Sequence, residues 1–126
     1  MRELFAVGIG GFVGAVARYL VTGWVHRFAG VTFPWGTLTV NAVGCVALGA
    51  LMGLVEARVA VSPELRLFLA LGVLGSFTTF SSVGYETVEL MRGGELSLAA
   101  ANALGSLLLG LLAVVAGAAA ARWIAG

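Results

Sequence analysis

Three stretches of this chain hold no charged side chain: Phe33 to Val55, Leu67 to Tyr85 and Leu96 to Ala121. A fourth, Leu4 to Val25, holds one, Arg18. Such runs match the ~20 apolar residues a helix needs to cross a bilayer, the longer ones with some tilt. In hydrocarbon each backbone N–H and C=O must be satisfied internally, so each run has to be helical. The expected fold is an all-α membrane protein of one domain, residues 1–126, with transmembrane helices at approximately 4–27, 33–57, 65–92 and 96–122.

The connectors, His26 to Thr32, Glu56 to Arg66 and Glu86 to Glu95, are too short for a further domain. Pro34 and Pro63 fall at or just outside helix starts, where a missing N–H is harmless. Hydrophobic residues make up 60 % of the chain and charged ones 10 %, against about half and a quarter in soluble domains. Every basic side chain apart from His26 is arginine, and with a net charge of +1 there is no basic cluster to hold a nucleic acid. Cys45 is alone, so no disulfide framework or zinc site is available within the chain, and it reads as a small buried hydrophobe. Arg2, the apolar stretch after it and Ala15-Val16-Ala17 have the outline of a secretory signal, but Gly8, Gly10, Gly11 and Gly14 and the three later runs favour a first span.

Arg2, Arg58, Arg66 and Arg122 belong to one side of a four-span topology; Arg27 and Arg92 belong to the other, with Arg18 near that end of its span. That is almost no bias under the positive-inside rule, which permits insertion both ways, although a slight preference for an inside amino terminus remains open. Gly10/Gly14 and Gly49/Gly53 have the spacing that lets membrane helices approach closely. GIGGFVG resembles a dinucleotide loop only superficially, because no strand precedes it. There is no clear internal repeat, so a pseudo-symmetric pathway requires more than one chain.

The polar residues inside the spans need a reason. GSFTTFSS, residues 75–82, places five hydroxyls in eight residues within an uncharged run. Gly75 and the β-branched pair Thr78-Thr79 disfavour regular helix, so the third helix is expected to break near Gly75–Thr79. A break frees carbonyls that can hold a cation; the alternative is a kink held by hydroxyls bonding back one turn. The density of hydroxyls, which include Thr79 and Ser81, favours a site. Asn41 and, one turn earlier, Thr37 form a polar line on the second span; Asn102 and Ser106 form another on the fourth. Each line serves as interhelical glue or as the lining of a path. Arg18 either snorkels to the interface, about two turns away, or sets a positive charge at a vestibule that concentrates anions. No span carries a carboxylate in its middle, and His26, the only histidine, lies at a helix end without a nucleophile–base arrangement. An enzyme is therefore not expected.

The order GGFVGAVARY, WGTLTVNAVG, GVLGSFTTFSSVGYE and NALGSLLLG resembles the Fluc (CrcB) fluoride channels over essentially the whole chain. The resemblance implies an antiparallel, dual-topology homodimer in the cell (inner) membrane, with two pores at its interface that export fluoride passively and confer fluoride resistance. It implies pore roles for Asn41, Phe80, Ser106 and Thr37, with Thr79, Ser81 and Asn102 beside them, and a vestibule role for Arg18. It further implies a structural Na+ at the dimer centre on the backbone carbonyls of Gly75 and Thr78, and it matches Glu86 to a glutamate usual after the third motif. Two positions depart from the family pattern: Val83 stands where a second phenylalanine is common, and Asn102 where a tyrosine is. Membrane lipid is the surrounding partner, and a heterodimer with a paralogue supplying the missing ring is the alternative assembly. The competing functions are a small dual-topology proton-coupled transporter, disfavoured by the lack of a carboxylate in the middle of any span, and a non-transporting assembly protein whose glycine faces serve only packing.

Overall fold

The structure is a computed structural model that describes residues 1–126. Four helical spans, long and apolar enough to cross a membrane, run up and down in sequence. Helix α1 is Arg2–Ala29, α2 is Trp35–Glu56, and the third span, Pro63–Arg92, is divided. Its first half, α3, covers residues 63–77, its second, α4, is Phe80–Arg92, and α5 is Leu96–Ala125. Ser62 caps α3, its Oγ accepting from the Leu65 N–H at 3.2 Å, with Pro63 at the first helical position. The last turn of α1 is closed by Gly30 at φ 77°, and the tight turn into α5 uses Gly94 at φ 81°, backbone that residues with a Cβ rarely adopt.

Packing is carried by glycine. Helices α2 and α5 make the most extensive contact in the chain. There Gly49 lies against the Val114 carbonyl, Gly117 against that of Val46, and a Cβ on Gly53 would sit 2.5 Å from the Ala118 oxygen. Helix α1 meets α3 in the same way, through Gly10 and Gly14 against Phe68, Gly72 and Val73. Both GxxxG pairs thus mark real backbone crossings, as expected where dispersion rather than water exclusion drives association.

Within α3, Leu67–Leu74 is π-helical, a feature the sequence pattern does not announce. Runs of this coil are rare, usually a single turn. Here the carbonyls of Phe68 and Val73 press directly on α1 at Gly10 and Gly14. At the other end, Arg122 Nη1 donates to Glu56 Oε2 at 2.7 Å, placing the carboxyl terminus beside the second connector as a four-span topology requires. Both partners are exposed, so removing the pair by Arg122→Ala is expected to change thermal stability by less than about 1 kcal/mol.

Candidate functional site: the broken third span

The third span breaks at Thr78 and Thr79, both with extended backbone (ψ 158° and 112°). The break falls within the expected Gly75–Thr79 segment, while Gly75 itself remains helical at φ −62°. Leaving the helix orphans backbone groups in the middle of a span, where no water replaces their partners. Asn41, from α2, supplies the replacements: the Thr79 N–H donates to Asn41 Oδ1 at 2.7 Å, and Asn41 Nδ2 donates to the Thr79 carbonyl at 3.1 Å. A primary amide can pair with the N–H and C=O of a single extended residue in this two-point manner because it carries a donor and an acceptor side by side. One Nδ2 hydrogen remains uncommitted.

Thr79 then starts α4. Its Oγ1 accepts from the Ser82 N–H at 3.2 Å, satisfying one of the orphan donors of the new helix start. The same oxygen shares hydrogen bonds with Ser81 Oγ at 3.1 Å and Ser82 Oγ at 3.0 Å. Three hydroxyls therefore gather at the amino-terminal, positive end of α4. Thr78 behaves differently. Its Oγ1 donates back to the Leu74 carbonyl at 2.9 Å, the back-bonded arrangement expected of a kink. Phe80, the first residue of α4, points out of the chain and is 86 % exposed. An aromatic ring so placed is either lipid-facing or covered by a second subunit.

Around the break, two carbonyls lose their helical partners. The amide that would close a helical turn on Gly75 is that of Thr79, and it is held by Asn41. Thr78 lies outside helix, and its carbonyl faces Arg18 Nη1 at 3.4 Å. Neutral carbonyl oxygens at a helix carboxyl end suit a hard monovalent cation, so Gly75 and Thr78 fit the Na+ site that the family resemblance implies. A cation on Thr78 would share that oxygen with the Arg18 guanidinium. Arg18 thus reaches inward to the break rather than outward along the span. It also lines a cavity of about 920 Å3 together with His26, Arg27, Thr37, Thr79 and Glu86.

The remaining polar residues fall into two separate groups. Thr37 Oγ1, buried, donates to Glu86 Oε1, while Glu86 Oε2 has no partner. Asn102 lies between α5 and α4 with no exposed surface. Its Nδ2 donates to the Val83 carbonyl at 3.3 Å and to Thr87 Oγ1 at 3.0 Å. The Thr87 hydroxyl is already donated to Val83 O at 2.7 Å, which fixes the amide orientation. Both Asn102 hydrogens are thus spent inside the chain. Ser106, one turn further along α5, has a buried Oγ that bonds to nothing in the single chain. Val83, three residues after Phe80 on α4, is 5 % exposed and packs inside its own chain.

The structure therefore joins Asn41, Thr79, Ser81 and Ser82 in one hydrogen-bonded cluster, with Arg18 and Thr78 adjoining. Thr37 is joined to Glu86 instead, and Asn102 to α4. Glu86 had no role from spacing alone. Its signal is that it is the first charge after the uncharged run and follows Ser82 by one helical turn.

Comparison with known proteins places this architecture. The family profile described as CrcB-like protein, Camphor Resistance (CrcB), matches residues 5–118. The chain is 49 % identical to the fluoride-specific ion channel FluC of Agrobacterium fabrum, over 97 % of this chain and 98 % of that protein. It is 50 % identical to the protein of the same name from Thermus thermophilus, over 89 % and 87 % of the two chains, and 46 % identical to that of Geobacter sulfurreducens, over 97 % and 98 %. A match of this extent leaves no part of the fold outside the comparison: the chain belongs to the CrcB family.

Proposed function

We propose that the chain is a fluoride-selective channel of the bacterial inner membrane, which lets fluoride leave the cytoplasm passively. The observation that carries this reading is the start of α4. A helix amino terminus, ringed by the Thr79, Ser81 and Ser82 hydroxyls and held by Asn41, lies in the middle of a membrane span beside the outward ring of Phe80. Half-helix amino ends at membrane depth favour anions. Fluoride is small, strongly hydrated and a strong hydrogen-bond acceptor. Hydroxyl and amide donors replace its water without a fixed countercharge that would trap it, as conduction requires. The positive edge of an aromatic ring offers a further weak anion contact.

In this reading Asn41, Phe80, Ser81, Thr79 and Ser106 line the path, with Thr37 and Glu86 near its mouth and Arg18 drawing anions into the 920 Å3 cavity. Ser106 finds its partner in the permeating ion. Phe80 is covered by a second copy of the chain inserted antiparallel, consistent with the near-balanced arginines. The Gly75 and Thr78 carbonyls, with those of the second copy, hold Na+. When bound, that ion would offset the partial negative charge of the carbonyl dipoles gathered at the subunit junction, and the protein's own part is to keep the Gly75 carbonyl out of helical bonding through the Asn41–Thr79 pairing.

Phe80→Ala tests the path. The ring is almost wholly exposed in the single chain, so the substitution leaves the chain's own packing intact. Fluoride efflux from liposomes should fall at least about tenfold, a loss of ~1.4 kcal/mol in the barrier, with unchanged yield of folded protein. Unchanged efflux would place the path elsewhere. Val83→Phe probes the first of the two departures from the family pattern. Because Val83 is buried in its own subunit, the larger ring should overpack the α4–α5 seam and lower stability by about 1–3 kcal/mol, readable as a lower melting temperature.

A further inference from the structure

Two cavities open at the end of the bundle formed by the α1–α2 and α4–α5 turns. The one of about 920 Å3 carries Arg18 and Arg27; the other, about 340 Å3, carries Glu89 and Glu95. Only two residues line both, His26 from the last turn of α1 and Glu86 from α4. They form the partition between a basic and an acidic compartment. Glu86 is half committed there: Oε1 takes the Thr37 hydroxyl, and Oε2 is buried without a partner. The His26 ring engages in no hydrogen bond. Its Nε2 rests over Gly36, where an added Cβ would lie 3.0 Å away, and the ring stands beside Glu86 in the lining of both cavities without forming an ion pair with it.

We propose that His26 controls anion entry by acting through Glu86: on protonation the ring turns from its present position, more than 4.0 Å from the carboxylate, to donate to Glu86 Oε2 and cancels the carboxylate charge at the partition. The inference rests on the anion-conducting reading above. With His26 neutral, Glu86 presents one negative charge beside the donors of Thr37, Thr79 and Ser82, and anions are held off. With His26 protonated, the local sum rises from −1 to 0, and the constant charges of Arg18 and Arg27 dominate the larger cavity. Histidine is the residue whose charge changes between about pH 5 and pH 8, so entry rises as pH falls through that range. The groups facing the pair are Arg18, Tyr19 and Arg27 from α1, Tyr85 and Glu89 from α4, and Glu95 from the turn; α2 contributes only the Thr37 hydroxyl. Gly36 is the reason the ring has room, since any side chain there would meet Thr22 and His26.

The test is fluoride current across planar bilayers at constant fluoride, with pH lowered on both sides from about 8 to about 5.5. The native protein should gain current, up to roughly tenfold. His26→Gln should match the native current at the alkaline end and stay flat. A flat native profile, or a rise that persists in His26→Gln and so belongs to a carboxylate, overturns the proposal. His26 is the only histidine, so its ring can also be titrated by NMR without assignment. Its midpoint should fall in Glu86→Gln, because a negative partner has been removed; an unchanged midpoint overturns the pairing. Absence of fluoride current at every pH would count against the channel reading, and the NMR titration would still decide whether His26 and Glu86 pair.

Discussion

Asn41→Leu should lower fluoride efflux about a hundredfold or more. Leucine is close to asparagine in size but offers neither donor nor acceptor. The substitution leaves the Thr79 N–H and carbonyl unpaired at the break, where the bonds measure 2.7 and 3.1 Å. Each buried orphan costs about 1–3 kcal/mol, and a hundredfold change corresponds to ~2.8 kcal/mol. The third span has two ways to respond. It can close the break into continuous helix, which removes the helix start where anions gather, or it can keep the break at a cost in stability. Initial efflux rates and thermal melting of purified protein separate the two. Asn41→Asp retains an acceptor for the Thr79 N–H but loses the donor to its carbonyl and adds a negative charge to the anion path. It should block efflux as well, with less effect on melting. Full efflux from Asn41→Leu would mean that the amide does not hold the break.

The second large effect belongs to the glycine crossings. A Cβ at Gly117 would overlap the Val46 carbonyl and lie 3.0 Å from the Ala50 N–H nitrogen, and one at Gly49 would overlap the Val114 carbonyl. These obstacles are backbone, so no side-chain rotation relieves them. Gly117→Val should therefore force α2 and α5 apart and abolish recovery of a monodisperse protein, read as loss of the symmetric peak in size exclusion. Gly8 is the control, because a Cβ there would meet no atom within 4 Å. Alanine there should be tolerated, with a gain of up to about 1 kcal/mol from helix propensity. A folded Gly117→Val protein of normal melting temperature would contradict the crossing.

These two predictions differ in how far the sequence foreshadows them. The four spans are legible because hydrocarbon excludes charge, and the uncharged runs mark them directly. The break is legible from Gly75 and the Thr78-Thr79 pair, since local propensity and hydroxyl density point the same way. The GxxxG spacing marks the faces that cross but not their partners. The π-helical Leu67–Leu74, which lies where α3 crosses the backbone of α1, leaves no trace in composition. Asn41 admitted two readings, glue or lining, and the structure adds a third task, the completion of peptide groups 38 residues away. Contacts of such separation follow from tertiary packing and have no local pattern. Arg18 shows the same limit: both snorkelling and vestibule were open, and the guanidinium turns to a carbonyl 60 residues on. Asn102 was grouped with Ser106 by spacing, yet its hydrogens are consumed by Val83 and Thr87 within the chain.

The most direct test of the central claim is anion release from liposomes containing the purified chain alone, followed with a fluoride electrode and repeated with chloride, at equal pH inside and out. The account predicts rapid fluoride release, negligible chloride release, and no need for a proton gradient. Release of both halides at similar rates, or fluoride release that appears only with an imposed proton gradient, would contradict it.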